Sequence, residues 1–120
     1  MGERVRIGAS YTFEAAHWLP NVPDGHKCKR LHGHNYLVEI LIEGSLDPRG
    51  FVMDYAELDT VVQPLIDQLD HRCLNDLPGL ENPTSEMLGL WLRERIKAAL
   101  PGFAPMIRVW ETPRYWAEVS

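Results

Sequence analysis

The 120-residue sequence has few of the features that mark membrane, secreted or nucleic-acid-binding proteins. No apolar run approaches the roughly 20 residues that a membrane-spanning helix needs. The N-terminal segment has no apolar core of a secretion signal. The net charge of −5 argues against a basic nucleic-acid-binding face, although a local site could still bind an anionic small molecule. We therefore expect a cytoplasmic protein that contacts neither nucleic acid nor membrane.

Cysteine is also scarce, and its spacing excludes a common class of metal site. The two cysteines, Cys28 and Cys73, form no Cys-x-x-Cys pair, and in a reducing compartment they are expected to be free thiols. A hydrophobic content of 45% suffices for a core without a disulfide. The length suits one domain, which we expect to span residues 1–120.

The periodicity of apolar residues predicts an α+β fold. Alternation and β-branched residues predict strands, whereas i, i+3, i+4 spacing predicts helices, the first with a kink at Pro64. The order ββααββ predicts an antiparallel four-stranded sheet with two helices on one face. The predicted strands cover 4–14, 35–43, 105–111 and 114–119, and the predicted helices cover 54–70 and 84–99. Asp54, with Glu57 three residues later, resembles a capping box at the start of the first helix.

Both faces of this predicted sheet carry apolar side chains. Leu37 and Leu41 form one row, and the second row consists of Ile40, Ile42, Ile107 and Val109. Two helices can cover only one face, so we expect the free face to pack on another subunit.

Three histidines form the strongest candidate metal site. His32 and His34 are two residues apart, so in an extended chain their side chains point the same way. His17 closes the first strand and would lie opposite them if the two strands pair as a hairpin. Three neutral imidazoles with an open fourth position are typical of catalytic zinc. The His-Gly-His triplet alone fits two surface histidines equally well, so this prediction depends on the hairpin.

Cys28 is the candidate base or nucleophile beside that metal. It lies four residues before His32, and its neighbours Lys27, Lys29 and Arg30 are cationic, which favours the thiolate form of a cysteine. Two alternatives remain. Cys28 could be a fourth ligand in a closed structural site, or an inert loop thiol.

Two further acidic positions are candidate site residues. The Asp70 carboxylate could orient His71. Adjacent side chains rarely face each other, however, so each could act on a third group such as Cys28, or His71 could simply interact with the helix C-terminus. Glu111 shares a face with apolar strand residues, which is costly unless a ligand with N–H donors pairs with it. It could also be a solvated carboxylate at the strand end.

The start of the second predicted helix could bind ligand oxygens through its free N–H groups. Thr84 or Ser85 would be the N-cap, and Glu86 lies in the first turn. Capping alone would explain all three residues.

Five segments in register give the chain a family resemblance. The segments are Phe13–His17, Gly25–Asn35, Leu69–His71, Asn82–Glu86 and Glu111-Thr112. Together they resemble the 6-pyruvoyl-tetrahydropterin synthase family, and the spacing Cys28-x-x-x-His32-Gly33-His34 is similar to its bacterial 6-carboxy-5,6,7,8-tetrahydropterin synthase branch.

The resemblance implies a tunnelling fold (T-fold). In that fold the sheets of three subunits close a barrel, two rings stack as a homohexamer, and active sites lie between subunits. It also implies a carbon–carbon lyase of queuosine biosynthesis. The reaction converts 7,8-dihydroneopterin triphosphate into 6-carboxy-5,6,7,8-tetrahydropterin, acetaldehyde and triphosphate. The alternatives are another pterin side-chain lyase, such as a pyruvoyl-type synthase or an aldolase, or a zinc-stabilised binding module without turnover.

The same resemblance implies residue roles. One zinc ion per subunit would be held by His17, His32 and His34. Cys28 would accept the substrate proton, with Asp70 and His71 as relay partners, and Glu111 would anchor the pterin N–H edge. Substrate contacts are also expected from Thr84, Ser85, Glu86 and Lys27, with Lys29 and Arg30 as further candidates for steering the triphosphate.

Overall fold

The computed structural model describes residues 3–120 and has one five-stranded sheet in the order β3-β1-β2-β4-β5. Neighbouring strands are antiparallel except β1 and β3, which are parallel. The α+β prediction is confirmed, but the strand count of four was wrong, because β3 has only two residues and is too short to show periodicity. The elements are β1 (Val5–His17), β2 (His32–Gly44), α1 (Tyr55–Leu69), β3 (Arg72–Cys73), α2 (Ser85–Ala99), β4 (Met106–Trp110) and β5 (Trp116–Val119).

Strands β1 and β2 form a long hairpin whose ends carry the predicted histidines. The pairing runs in unbroken register from Val5 opposite Gly44 to His17 opposite His32. Both strands therefore extend further toward the loop than predicted, because polar and small residues interrupt the apolar alternation there. The irregular loop is confined to residues 18–31 and contains a short 3₁₀ turn at Lys27–Lys29.

The helices begin at the predicted capping residues. The Asp54 side chain accepts the Ala56 N–H at 2.9 Å, and the Thr84 side chain accepts the Met87 N–H at 3.1 Å. Helix α1 continues through Pro64 without a break, where the sequence predicted a kink. Pro64 lies on the exposed side of α1, where water can solvate the backbone carbonyl that its missing N–H leaves unpaired.

The core lies between one face of the sheet, here called the helix-covered face, and the two helices. The opposite, open face carries Leu37 and Leu41, both half-buried, beside charged and aromatic residues. There Arg108 pairs with Glu118 at 2.7 Å, and the Trp110 indole donates to Glu39 at 2.6 Å. The predicted row on the helix-covered face is fully buried: Ile40, Ile42, Ile107 and Val109.

Gly89 lets α2 pack closely against β5 and β4. A Cβ atom at this position would lie 3.2 Å from a Val119 methyl group, so a larger residue would push the helix away from the sheet. This close packing places Ser85 beside Glu111, the residue that follows β4. Over residues 3–120, neither helix combines the length and the apolar character that a membrane crossing requires.

Candidate active site

The three predicted histidines converge at the end of the β1–β2 hairpin. His17 and His32 are directly opposite in register, and His34 is the next residue along β2 on the same face. The ring centroids are 4.6 Å apart for His17 and His32, 5.1 Å for His17 and His34, and 4.9 Å for His32 and His34. Strand pairing alone therefore brings three imidazoles together.

The hydrogen bonds of His17 and His32 leave two lone pairs facing each other. His17 Nδ1 is 2.8 Å from the Pro83 carbonyl oxygen, and His32 Nδ1 is 2.6 Å from the Arg30 carbonyl oxygen. A carbonyl only accepts, so both Nδ1 atoms carry the proton, and each neutral ring keeps its lone pair on Nε2. These two Nε2 atoms are 3.1 Å apart. Two acceptors at this distance repel each other unless a metal ion or a proton lies between them.

The third imidazole, that of His34, also has a ring nitrogen without a hydrogen-bond partner in the described part of the chain. Within residues 3–120, His34 Nε2 is buried without a hydrogen-bond partner, although Glu111 Oε1 lies 3.1 Å away. Burial lowers the pKa of both His17 and His34. The neutral form, which binds metals, is therefore favoured at both rings.

The donor set fits a divalent metal ion. One ligand atom from each of four residues lies within 4.8 Å of the others, and these residues are His17, His32, His34 and Glu111. Imidazole and carboxylate donors suit zinc and several other divalent ions. Cys28, which we considered as a fourth ligand, is not in this group, whereas Glu111 is.

Cys28 lies instead in an open cleft beside the histidines. This Cys28 cleft has a volume of about 460 Å³ and is lined by Lys27, Cys28, His32, His34, Glu111, Thr112 and Tyr115. The Leu19 N–H donates to the Cys28 carbonyl at 2.8 Å, and the Cys28 N–H donates to His26 at 3.0 Å. The loop therefore holds a partly exposed thiol next to two of the clustered rings.

The lysines near Cys28 have different surroundings. Lys27 lines the Cys28 cleft and is free to meet a ligand there. Lys29 Nζ is instead 2.9 Å from Asp24 Oδ1 and donates to the Val22 carbonyl at 3.1 Å. Lys29 thus fixes the loop, while Arg30 contributes its backbone carbonyl to His32.

Glu111 is held by the first residue of α2. The Ser85 hydroxyl donates to Glu111 Oε2 at 2.8 Å, while Glu111 Oε1 faces His34. Thr84 uses its side chain as the N-cap, and Glu86 is exposed in the first turn. Of the three residues predicted at this helix start, Ser85 therefore has the contact with the site.

Sequence reasoning missed two neighbours of His17. The buried Tyr36 hydroxyl is 3.3 Å from His17 Nδ1, and its position two residues after His34 on the same face could have revealed it. Burial raises the pKa of Tyr36, so its hydroxyl stays protonated. The Pro83 carbonyl has no sequence signal, because a backbone group of any residue could accept the His17 proton.

His71 lies in a second cleft, here called the His71 cleft. Its volume is about 600 Å³, and its lining includes Glu14, Ala16, Gly33 and Asn35 from the open face. The expectation that the adjacent side chains do not face each other was wrong: His71 Nδ1 is 2.9 Å from Asp70 Oδ1. The left-handed backbone of His71, with φ of 57°, turns its ring back toward Asp70. Cys28 lines the other cleft, and His71 is not among the residues that line that one.

Comparison with known proteins identifies the group to which this geometry belongs. The family model described as 6-pyruvoyl tetrahydropterin synthase matches residues 6–120. The chain belongs to the 6-pyruvoyl tetrahydropterin synthase family. The structure of the synthase from Caenorhabditis elegans superposes with a TM-score of 0.89 at 27% identity, covering 98% of this chain and 96% of the other.

Relatives within the family carry different names. The chain is 39% identical to a putative 6-carboxy-5,6,7,8-tetrahydropterin synthase of Archaeoglobus fulgidus, over 99% of this chain and 98% of that protein. It is 40% identical to the 6-carboxy-5,6,7,8-tetrahydropterin synthase of Synechocystis, over 80% and 78%. It is also 36% identical to a dihydroneopterin monophosphate aldolase of Pyrococcus furiosus, over 98% of both chains. The family therefore includes pterin enzymes with different names, and this chain resembles more than one of them.

Proposed function

We propose that the protein is a zinc-dependent 6-carboxy-5,6,7,8-tetrahydropterin synthase. It would convert 7,8-dihydroneopterin triphosphate and one water molecule into 6-carboxy-5,6,7,8-tetrahydropterin, acetaldehyde and triphosphate. The observation that carries this proposal is the convergence of three metal-competent imidazoles, two of which line one cleft with Cys28 and Glu111. The relatives that carry the synthase name support it.

His17, His32 and His34 would hold the metal. When bound, zinc supplies Lewis acidity and a fixed point for the hydroxyls of the pterin side chain. The Pro83 and Arg30 carbonyls keep the Nε2 lone pairs of His17 and His32 aimed at the site. Such outer hydrogen bonds fix the tautomer and orientation of metal-binding histidines.

Each remaining residue has a distinct task in this proposal. Cys28 takes a proton from the pterin side chain, because its thiol is partly exposed in the cleft that His32 and His34 line. Glu111 accepts hydrogen bonds from the N–H edge of the pterin, and Ser85 holds one of its oxygens. Lys27 attracts the triphosphate at the cleft entrance.

Asp70 and His71 would serve a Cys28 from a neighbouring subunit. His71 lines a different cleft from the Cys28 of its own chain, so assembly would have to complete the site. The half-buried Leu37 and Leu41 of the open face suit packing against other copies. We expect a cytoplasmic homohexamer built as a dimer of trimers.

The decisive experiment is a product assay on zinc-loaded protein. Incubation with 7,8-dihydroneopterin triphosphate should give 6-carboxytetrahydropterin and acetaldehyde, identified by mass spectrometry, with metal content measured on the same sample. A pyruvoyl product, or no turnover at full zinc occupancy, would contradict the proposal.

A second candidate is a dihydroneopterin phosphate aldolase. It is favoured by the Pyrococcus furiosus relative, which covers as much of this chain as the synthase relatives do. A retro-aldol reaction would leave a hydroxymethyl group on the pterin and release a two-carbon phosphate aldehyde. Competition between the monophosphate and the triphosphate substrates, followed by product identification, separates the two activities.

A binding module without turnover is the third candidate, in which Cys28 helps hold a structural zinc. Cys28→Ala should keep zinc and lose turnover if the site is catalytic. Loss of zinc together with loss of folding stability would instead support the structural site.

A further inference from the structure

Glu14 contacts the Asp70–His71 pair at three points, although it lies on strand β1. Its backbone carbonyl accepts the His71 N–H at 2.6 Å, and its own N–H donates to Asp70 Oδ1 at 3.0 Å. Its carboxylate Oε2 lies 3.5 Å from His71 Nε2. One strand residue thus holds the pair through both its backbone and its side chain.

The His71 ring consequently lies between two carboxylates. Asp70 Oδ1 is 2.9 Å from Nδ1, which is hydrogen-bond distance, whereas the 3.5 Å from Glu14 to Nε2 is that of an ion pair. Ionised carboxylates only accept hydrogen bonds, so the ring satisfies both when both of its nitrogens carry protons.

The other charged and titratable groups of the His71 cleft are few. Arg72, Cys73 and His34 line it with Glu14 and His71, and Arg72 is the permanent cation among them. Asp70, through its hydrogen bond and then its charge, raises the pKa of His71, and the charge of Glu14 raises it further. The balance of charges favours the imidazolium.

We propose that Glu14 is a positioning residue that, together with Asp70, keeps His71 doubly protonated. In the proposed reaction, on which this part of the inference rests, His71 then supplies the positive charge that holds a neighbouring subunit's Cys28 as a thiolate. His71 would not act as a base toward that thiol, because both of its nitrogens already carry protons.

The first test is an NMR titration of histidine-labelled, zinc-loaded protein without substrate. The three zinc ligands should not titrate near neutral pH, which leaves His26 and His71, and His71→Asn assigns the signal. Glu14→Gln should lower the His71 midpoint by a few tenths of a pH unit, as expected for an exposed ion pair. Asp70→Asn should lower it more, and Glu14→Asp should retain part of the effect.

Glu43→Gln is the matched control, since it removes the same charge near the other end of the sheet, where Glu43 pairs with Arg6. An unchanged His71 midpoint in Glu14→Gln, or an equal shift in the Glu43 control, would overturn the inference. Because no substrate is present, this result is independent of whether the proposed function is right.

The pH profile of turnover tests the role of the imidazolium. If activity requires protonated His71, it is lost as pH rises through the His71 midpoint, so Glu14→Gln should move the basic limb to lower pH. Movement of the acidic limb by the same substitution would mean that His71 acts as a base, and would overturn the assigned role.

Discussion

The two clefts that meet near His34 are built in different ways. On the Cys28 side, the fold of one chain brings together three imidazoles, a carboxylate and a thiol. On the His71 side, the exposed Glu14 and His71 line an open cleft together with Cys73, and Asp70 contacts the His71 ring. In the proposed reaction, metal binding is therefore a property of the single subunit, whereas proton transfer depends on assembly.

The largest expected effect tests the dependence on assembly. Cys28→Ala should lower turnover by roughly 10²–10⁴-fold, the usual contribution of a general base. His71→Asn should lower it by roughly 10²–10³-fold, the usual contribution of a preorganised group that stabilises a charge. If the two residues act across an interface, refolding the two variants together should restore about a quarter of the sites, because each site draws its residues from different chains.

Activity restored in the mixture would support a shared site. A mixture as inactive as its components, with the oligomer shown by light scattering to be mixed and intact, would place both residues of each site on one chain.

The next largest effect tests the set of metal ligands that one subunit supplies. His32→Ala should weaken zinc affinity by more than about 100-fold, because it removes a direct ligand, whereas changes in outer hydrogen bonds typically cost 10–100-fold. Zinc affinity can be measured by competition with a chromophoric chelator.

His26→Ala is the control for this substitution, since His26 lies in the loop that precedes His32 but outside the cluster. Equal zinc affinity in the His32 and His26 variants would remove His32 from the ligand set.

A smaller effect is expected at Ser85, which holds the proposed substrate-binding residue Glu111. Ser85→Ala frees one oxygen of Glu111 and should raise KM roughly 10-fold or more, since a hydrogen bond to a charged group contributes about 1.5–3 kcal/mol. Zinc content should not change. Ser10→Ala, on the exposed part of β1, provides the control. A KM equal to that of the Ser10 variant would separate Ser85 from substrate binding.

The smallest effect concerns the metal-free protein. Burial depresses the pKa of His17 and His34 in the folded state, so the unfolded chain binds protons more readily. The free energy of unfolding should therefore decrease as pH falls below about 6.5, by at most about 1.4 kcal/mol per pH unit for each ring.

Urea unfolding of zinc-free protein between pH 7.5 and 5.5 measures this slope, and His17→Gln should make it shallower. An identical slope in the variant would show that other groups cause the loss.

Much of this arrangement could be predicted from local sequence signals. The spacing of His32 and His34 fixed their common side, and alternation in the first strand indicated that His17 could meet them across a hairpin. Capping residues Asp54 and Thr84 located both helix starts. These features depend on short periodicities and on the chemistry of single residues.

The rest depended on contacts that no short pattern encodes. Strand β3 has two residues, and the left-handed turn at His71 uses a residue type that seldom adopts such a φ. Glu14 contacts Asp70 because β1 pairs in parallel with β3. This pairing depends on how α1 docks on the sheet. Predicting these contacts requires the tertiary structure.

The hydrogen bond between His17 and the Pro83 carbonyl has a consequence for how the protein matures. The two residues are 66 positions apart, and Pro83 immediately precedes the N-cap of α2. A nascent chain that has formed only the β1–β2 hairpin would hold His17 without its orienting partner. High-affinity metal capture should therefore come late in folding, after α2 has docked, so that the ion is retained mainly by chains whose C-terminal part is already folded.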